Sequence, residues 1–236
     1  MDLSMETVRD NLELARELVG KALGSSGEDG RDVRIMAVTK THPPEVVTMA
    51  LRAGVRLIGE NRVSEGGRKI RAVGAEAAEF HLIGPLHTRE VRQAVRDFHW
   101  IDSLDRVKIA GEIARRTVDR DQVQPGLLLE VNTSGEGSKL GFQPDAGLLE
   151  EVLGQMAELG LKVSGFLTIG PLNGSLSRVR EAFALLRDLR DRLRERCCVP
   201  LDELSMGMSD DFELAVKEGA TTVRLGRFLF GGRRRI

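Results

Sequence analysis

Apolar residues recur along this chain in two alternating rhythms. Val8, Leu12, Ala15, Val19 and Ala22 stand at helical spacing near the start, predicting an amphipathic helix. After a polar loop from Gly24 to Gly30 comes a β-rich run, VRIMAVTK, ending at Lys40. Pro43 and Pro44 then open a helix that Gly54 closes, the ends that proline and glycine favour. The unit repeats. VRLIGE (Val55 to Glu60) precedes a helix bearing Val63, Ile70 and Val73, and FHLIG (Phe80 to Gly84) precedes one capped by Thr88. FHWIDS precedes a helix with Leu104, Val107, Ala110 and Ile113 on one face and Ser103 as its expected cap. LLLEVN leads to a helix with Leu148, Leu149, Val152 and Met156, and LKVSGFLTI to a long one with Leu176, Val179, Phe183, Leu186 and Leu193. ELSM (Glu203 to Met206) precedes a helix that Ser209 is expected to cap and Gly219 to end, and TTVRLGRFLF (Thr221 to Phe230) reads as the last strand.

Eight strands, each but the last followed by a helix, predict an α/β protein: a single-domain (β/α)8 TIM barrel with an extra N-terminal helix, spanning residues 1–236 as one unit. An open doubly wound sheet would share the alternation, and strands apolar on both faces suit either. Polar residues favour the barrel. Lys40, Glu60 and Asn61, Asp102 and Ser103, Asn132 and Ser205 all fall at or just past the C-terminal end of an apolar strand. In a barrel those ends converge on one rim, where active sites are built.

Composition narrows the class. Lysine and arginine total 35 against 36 aspartates and glutamates, a near-balance that argues against nucleic acid as a partner. No apolar run reaches the ~18 residues of a membrane span, and the opening MDLSMETVRDNLE is too acidic and polar for a signal peptide, so a cytoplasmic location is expected. Cys197 and Cys198 are adjacent, a poor arrangement for a disulfide, and read as reduced thiols near a helix end. The four histidines lack zinc-type spacing, so no metal is expected; His81 and His99 read as hydrogen-bonded strand residues. TSGEGSK lacks the order of a phosphate-binding P-loop, GMSDD lacks the last glycine of a nucleophile elbow, and the basic tail GGRRRI reads as a frayed end.

The loops after strands seven and eight, where barrels of this kind hold phosphate, read SMGMSDD (Ser205 to Asp211) and RLGR (Arg224 to Arg227). Gly207 and Gly226 allow close backbone approach, and Arg224 or Arg227 supplies positive charge. Phosphate is expected beside Ser205 and Gly226, because Asp210 and Asp211 compete for the helix start that Ser209 caps. Lys40, partly desolvated at a strand end, suits a nucleophilic amine that forms a Schiff base. A phosphate cradle facing such a lysine suggests a phosphorylated aldehyde, of which pyridoxal 5′-phosphate is the common one. Position alone also allows Lys40 a solvated or ion-paired role, Asn61 a helix cap, and Arg224 a pairing with a carboxylate inside the rim.

The segments AVTK (Ala37 to Lys40), GEN (Gly59 to Asn61), HLIG (His81 to Gly84), VNTSGEGSKLGF (Val131 to Phe142), LSMGMSDDFELAVKEGATTVRLG (Leu204 to Gly226) and FG (Phe230, Gly231) strongly resemble the pyridoxal phosphate homeostasis protein family. The resemblance runs from about Val33 to the C-terminus. It implies a barrel like the N-terminal domain of alanine racemase, with pyridoxal phosphate held as a Schiff base on Lys40. Ser205, Gly226 and the position of Arg227 would bind phosphate, Arg224 would approach the pyridine nitrogen, and Asn61 would lie near the ring. It further implies a carrier acting in cofactor homeostasis, a monomer, with apo forms of pyridoxal phosphate enzymes as recipients. Where the family often has a small hydroxyl residue, this chain has Arg227. PLHTRE (Pro85 to Glu90) lacks the glutamine, asparagine and lysine frequent in that loop, and LTIG (Leu167 to Gly170) alters the turn after strand six.

An arginine beside the pyridine nitrogen would weaken the ring as an electron sink, which agrees with a carrier. The chain has no tyrosine to act as the second base of an alanine racemase-like mechanism; Lys139 or His87 would be the substitutes. A weak pyridoxal phosphate-dependent amino-acid racemase is the alternative, and a phosphate-sugar isomerase or Schiff-base aldolase a third reading. A mobile surface side chain is the other expectation for Lys139.

Overall fold

The computed structural model describes residues 3–26, 31–118, 123–137, 139–172 and 174–231; most of the expected Gly24 to Gly30 loop and all but the first residue of the GGRRRI tail lie outside them. Eight parallel strands close into a barrel in chain order, each hydrogen-bonded to the next and the eighth to the first. They are β1 (Arg34–Val38), β2 (Leu57–Glu60), β3 (Glu79–Leu82), β4 (Trp100–Leu104), β5 (Gly126–Glu130), β6 (Gly165–Leu167), β7 (Glu203–Met208) and β8 (Thr222–Leu225). Around them run α1 (Met5–Ser26), α2 (Pro44–Arg52), α3 (Val63–Val73), α4 (Val91–Asp97), α5 (Val107–Val118), α6 (Ala146–Glu158), α7 (Leu176–Cys197), α8 (Phe212–Lys217) and the one-turn α9 (Arg227–Phe230). The doubly wound alternative is thereby excluded.

The two faces of each strand do different work, since successive side chains point to opposite sides. Ala37, Ile58, Phe80, Leu82, Ile101, Leu127, Leu129, Phe166, Leu204, Val223 and Leu225 join the apolar layer shared with the helices. That layer includes Val8, Leu12, Ala15, Val19 and Ala22, so α1 packs by its predicted stripe. The alternate residues face the lumen and include His81, Asp102, Ser205 and Arg224, all buried.

Several boundaries differ from the sequence pattern. Leu104 and Ser103 belong to β4, and the Ser103 hydroxyl donates to the Gly84 carbonyl at 2.6 Å rather than capping α5. Thr88 opens a single 3₁₀ turn, and the His87 N–H ahead of it donates to the Glu90 carboxylate at 3.3 Å. Ser209 does not cap α8: Asp211 stands there, accepting from the Met208 N–H at 2.6 Å, and the Ser209 hydroxyl accepts from the Phe228 N–H at 3.1 Å. The last apolar run is not one strand. It breaks at Gly226 into β8 and α9, because Leu229 and Phe230 are buried from a helical turn. Cys197 ends α7 and Cys198 takes a left-handed conformation after it, both thiols unbridged.

Candidate functional site

At the C-terminal rim a cavity of about 200 Å³ opens between the ends of β1, β7 and β8. That size lies below the roughly 300 to 1,000 Å³ that drug-sized ligands fill, so it suits a small molecule. Lys40, Arg224, Gly226 and Arg227 line it together with Ser209, Met208, His42 and Ile83. Lys40 follows β1 by two residues and points inward, in phase with Val38; the intervening Thr39 is fully buried on the outer side.

Gly226 lines the cavity, and Gly207 shapes the turn that carries Met208 and Ser209 into it. Gly207 holds φ +88°, and a Cβ on it would stand 2.5 Å from Ala215 Cβ and 3.0 Å from Phe212 Cα, so the β7–α8 turn closes only with glycine. At Gly226 a Cβ would meet the Val38 carbonyl at 3.3 Å, keeping this backbone flush against the end of β1. Arg227 is largely exposed and ion-paired with Asp210.

Arg224 is buried to 4 % exposure and donates to Ser205 Oγ at 3.0 Å and to the Thr168 carbonyl at 2.7 Å. Burial pushes its guanidinium pKa down, while the charges of Asp102, Asp211 and Glu130 oppose this. Arg224 thus meets a hydroxyl and a carbonyl directly and carboxylates through space. Ser205 touches the cavity only through Arg224 and is absent from its lining, where Ser209 stands instead. Strand phase explains the exchange: Ser205 lies deep in β7, whereas Ser209 follows the strand at the rim. Asn61 is also absent from the lining. Its backbone and side chain pack on Gly84, where a Cβ would come within 2.3 Å of the Asn61 carbonyl.

Below the cavity the lumen is ionic. His81 Nδ1 lies 2.9 Å from Asp102 and Nε2 2.9 Å from Glu79, which pairs with Arg34 at 3.3 Å. Burial alone would lower the His81 pKa, but Asp102 and Glu79 override it and raise the value to about 9. The ring stacks on Trp100 with centroids 5.4 Å apart. Glu130, at the end of β5, is pushed up to about 7 by burial first and by Asp105 second, with Arg224 opposing.

Lys139 is not a loose surface side chain: its ammonium donates to the Gly170 carbonyl at 2.7 Å and lies 3.2 Å from Glu136, joining two rim loops. His81 is the hydrogen-bonded strand residue the sequence predicts, but its pairing with Asp102 was not foreseen, nor were Glu130 and a buried lysine, Lys69, behind the rim. Strand parity could have flagged His81 and Asp102 as inward-facing, and the Glu65–Lys69 spacing was visible as an i,i+4 pair.

A family model described as "Alanine racemase, N-terminal domain" matches residues 4–234. The pyridoxal phosphate homeostasis protein of Aquifex aeolicus (strain VF5) is 39% identical over 226 residues, covering 95% of this chain and 98% of that protein. Its counterpart in Escherichia coli (strain K12) is 34% identical over 239 residues, covering 97% and 98%. Among solved structures, PipY of Synechococcus elongatus PCC7942 with PLP bound superposes with a TM-score of 0.77 at 32% identity, over 90% of this chain and 100% of that one. The alanine racemase of Clostridium difficile 630 superposes with a TM-score of 0.75 at 16% identity, over 99% of this chain but 58% of that one, and shows the shared barrel alone. By sequence along nearly its whole length and by fold, this chain belongs to the pyridoxal phosphate homeostasis protein family, built on the alanine racemase N-terminal barrel.

Proposed function

We propose that this protein binds pyridoxal 5′-phosphate through a Schiff base on Lys40 and acts in intracellular, cytoplasmic homeostasis of the cofactor, without strong catalysis of its own. The observation that carries this reading is the convergence of Lys40, Ser209, Gly226, Arg224 and Arg227 on one small cavity. The residues fit the group: a primary amine for an aldehyde, a close-approach glycine backbone, a hydroxyl and two guanidiniums for a phosphate ester and a ring. Lys40 would hold the aldehyde end of the group, its primary amine supplying the nucleophile for a Schiff base. Gly226 and Ser209, with the Arg227 charge at the mouth, form the phosphate end. Ser205 acts through Arg224, whose guanidinium it anchors from below, and Asn61 supports the rim through Gly84.

Bound pyridoxal phosphate supplies an electron sink whose strength depends on protonation of its ring nitrogen. The buried cation in the cavity wall is Arg224, and a guanidinium beside that nitrogen disfavours its protonation. Support for weak catalysis also comes from the tyrosine-free sequence and from Lys139, whose ammonium is engaged by Glu136 and two carbonyls. Recipients would be apo forms of pyridoxal phosphate enzymes, approached by a monomer at the open rim.

The test is the absorption spectrum of the purified protein with added pyridoxal phosphate, borohydride reduction, and mass mapping of the modified peptide. A pyridoxyl adduct on Lys40, lost in Lys40→Ala, is expected. A colourless protein that takes up no pyridoxal phosphate overturns the cofactor reading. Sustained Lys40-dependent turnover of an amino-acid panel removes the carrier reading and leaves the racemase one.

A further inference from the structure

Behind the rim, on the outer side of β1, lies a buried ionic cluster that cofactor binding does not use. Lys69, on the inner face of α3, is 2 % exposed, and its ammonium donates at 2.7 Å to each of three acceptors. These are the Thr39 carbonyl, Glu60 Oε1 and Glu65 Oε1. Glu60 also accepts from the Thr39 hydroxyl. Glu65 also accepts from the Thr41 N–H at 2.6 Å. The cluster therefore grips the backbone on both sides of Lys40.

The chain there needs gripping. Thr41 holds φ +68°, a left-handed conformation that a β-branched residue avoids and that persists only where surrounding contacts impose it. The His42 N–H closes the bend on the Thr39 carbonyl at 3.0 Å. The bend turns the chain away from the barrel just after Lys40 has pointed inward. Desolvation would raise the Glu65 carboxyl, but hydrogen bonds from Lys69 and the Thr41 backbone outweigh it and hold the group below its ordinary value. Gly66 lets α3 approach closely enough for this, since a Cβ on it would stand 3.1 Å from Glu60 Cβ.

We infer that Lys69 and Glu65 are positioning residues for Lys40: by fixing the Thr39 carbonyl and the Thr41 N–H, they impose the strained bend that aims the Lys40 amine into the cavity. The inference rests on the reading of Lys40 as the anchor, and it is separable from it.

Full-length protein is labelled at its lysines in two ways: with pyridoxal phosphate and borohydride, and with formaldehyde and cyanoborohydride, which reports amine reactivity without the cofactor. Mass mapping gives the rate at each lysine, and hydrogen exchange gives the protection of the Thr41 amide. Glu65→Ala is expected to slow labelling at Lys40 about tenfold with both reagents, the equilibrium scale of one strained residue, leave other exposed lysines unchanged, and speed exchange at Thr41. Glu65→Gln, which keeps an acceptor oxygen, should stay close to wild type. Adding Thr41→Gly to Glu65→Ala should recover Lys40 labelling, because glycine takes the left-handed bend without help, while the lost thermal midpoint is not recovered.

Unchanged Lys40 labelling in Glu65→Ala with a lowered thermal midpoint overturns the inference and leaves the cluster a purely structural one. Failure of Thr41→Gly to restore labelling overturns the strained-bend mechanism. Wild-type protein that methylates at Lys40 but takes no pyridoxyl group sinks the cofactor reading alone, and the clamp is then judged on methylation and exchange.

Discussion

The His81–Asp102 pair should make the stability of this barrel fall as pH rises into the alkaline range. His81 is almost wholly buried, with both ring nitrogens 2.9 Å from carboxylates, and its pKa is raised from 6.5 to about 9. The folded state therefore binds a proton that the unfolded chain has released. A raised pKa in the folded state contributes stability that is complete below pH 6.5 and is lost as pH climbs through 9. At about 1.4 kcal/mol per pKa unit, the loss amounts to roughly 3 kcal/mol, a large share of the 5 to 15 kcal/mol of a typical domain. Urea unfolding at half-unit steps from pH 6 to 10, for wild type, His81→Gln and Asp102→Asn, measures it. The wild-type free energy should fall with a slope approaching 1.4 kcal/mol per pH unit between pH 7 and 9. His81→Gln subtracts the titrations common to all three proteins and should flatten that descent. Asp102→Asn removes the strongest of the interactions raising the pKa and should move the fall to lower pH. A wild-type curve level from pH 7.5 to 9.5, or one that falls as steeply in His81→Gln, refutes a buried imidazolium in the lumen.

Two further perturbations follow from the same geometry. Glu130, raised from 4.5 to about 7, keeps its proton in the folded state, so it should contribute a fall in stability of roughly 3 kcal/mol between those pH values; a second urea series from about pH 4 to 7.5 should fall less steeply in Glu130→Gln than in wild type, and equal slopes in the two would contradict the buried carboxyl. Gly207→Ala places a Cβ 2.5 Å from Ala215 Cβ at φ +88°. It should cost about 2 to 4 kcal/mol in urea unfolding, from the left-handed backbone and overpacking together, and weaken pyridoxal phosphate uptake by displacing Met208 and Ser209; an unchanged unfolding midpoint would show that the β7–α8 turn does not need glycine.

Much of the architecture was legible in the chain because it rests on local rhythm. Strands apolar on both faces and helices with one apolar stripe determine the eight-fold alternation, and Pro44 and Gly54 mark the ends of α2 at short range. Lys40, Arg224, Gly226 and Arg227 could be placed on one rim because parallel strands in a closed barrel bring their C-terminal ends together. What local rhythm could not decide was depth and partner. Ser205 and Ser209 are interchangeable as hydroxyls in SMGMS, and only the strand's length and phase send the first to Arg224 and the second to the cavity. TTVRLGRFLF reads as one strand until the barrel closes at Leu225, after which burying Leu229 and Phe230 requires a helical turn. Glu65 and Lys69 look like a surface i,i+4 pair, yet packing of α3 against β2 and β3 buries the lysine and gives it Glu60 and the Thr39 carbonyl. His81 meets Asp102 across 21 residues of sequence and Arg224 meets Thr168 across 56. Those pairings form because closing the barrel excludes water from the lumen, and a charge without solvent must find its partner there.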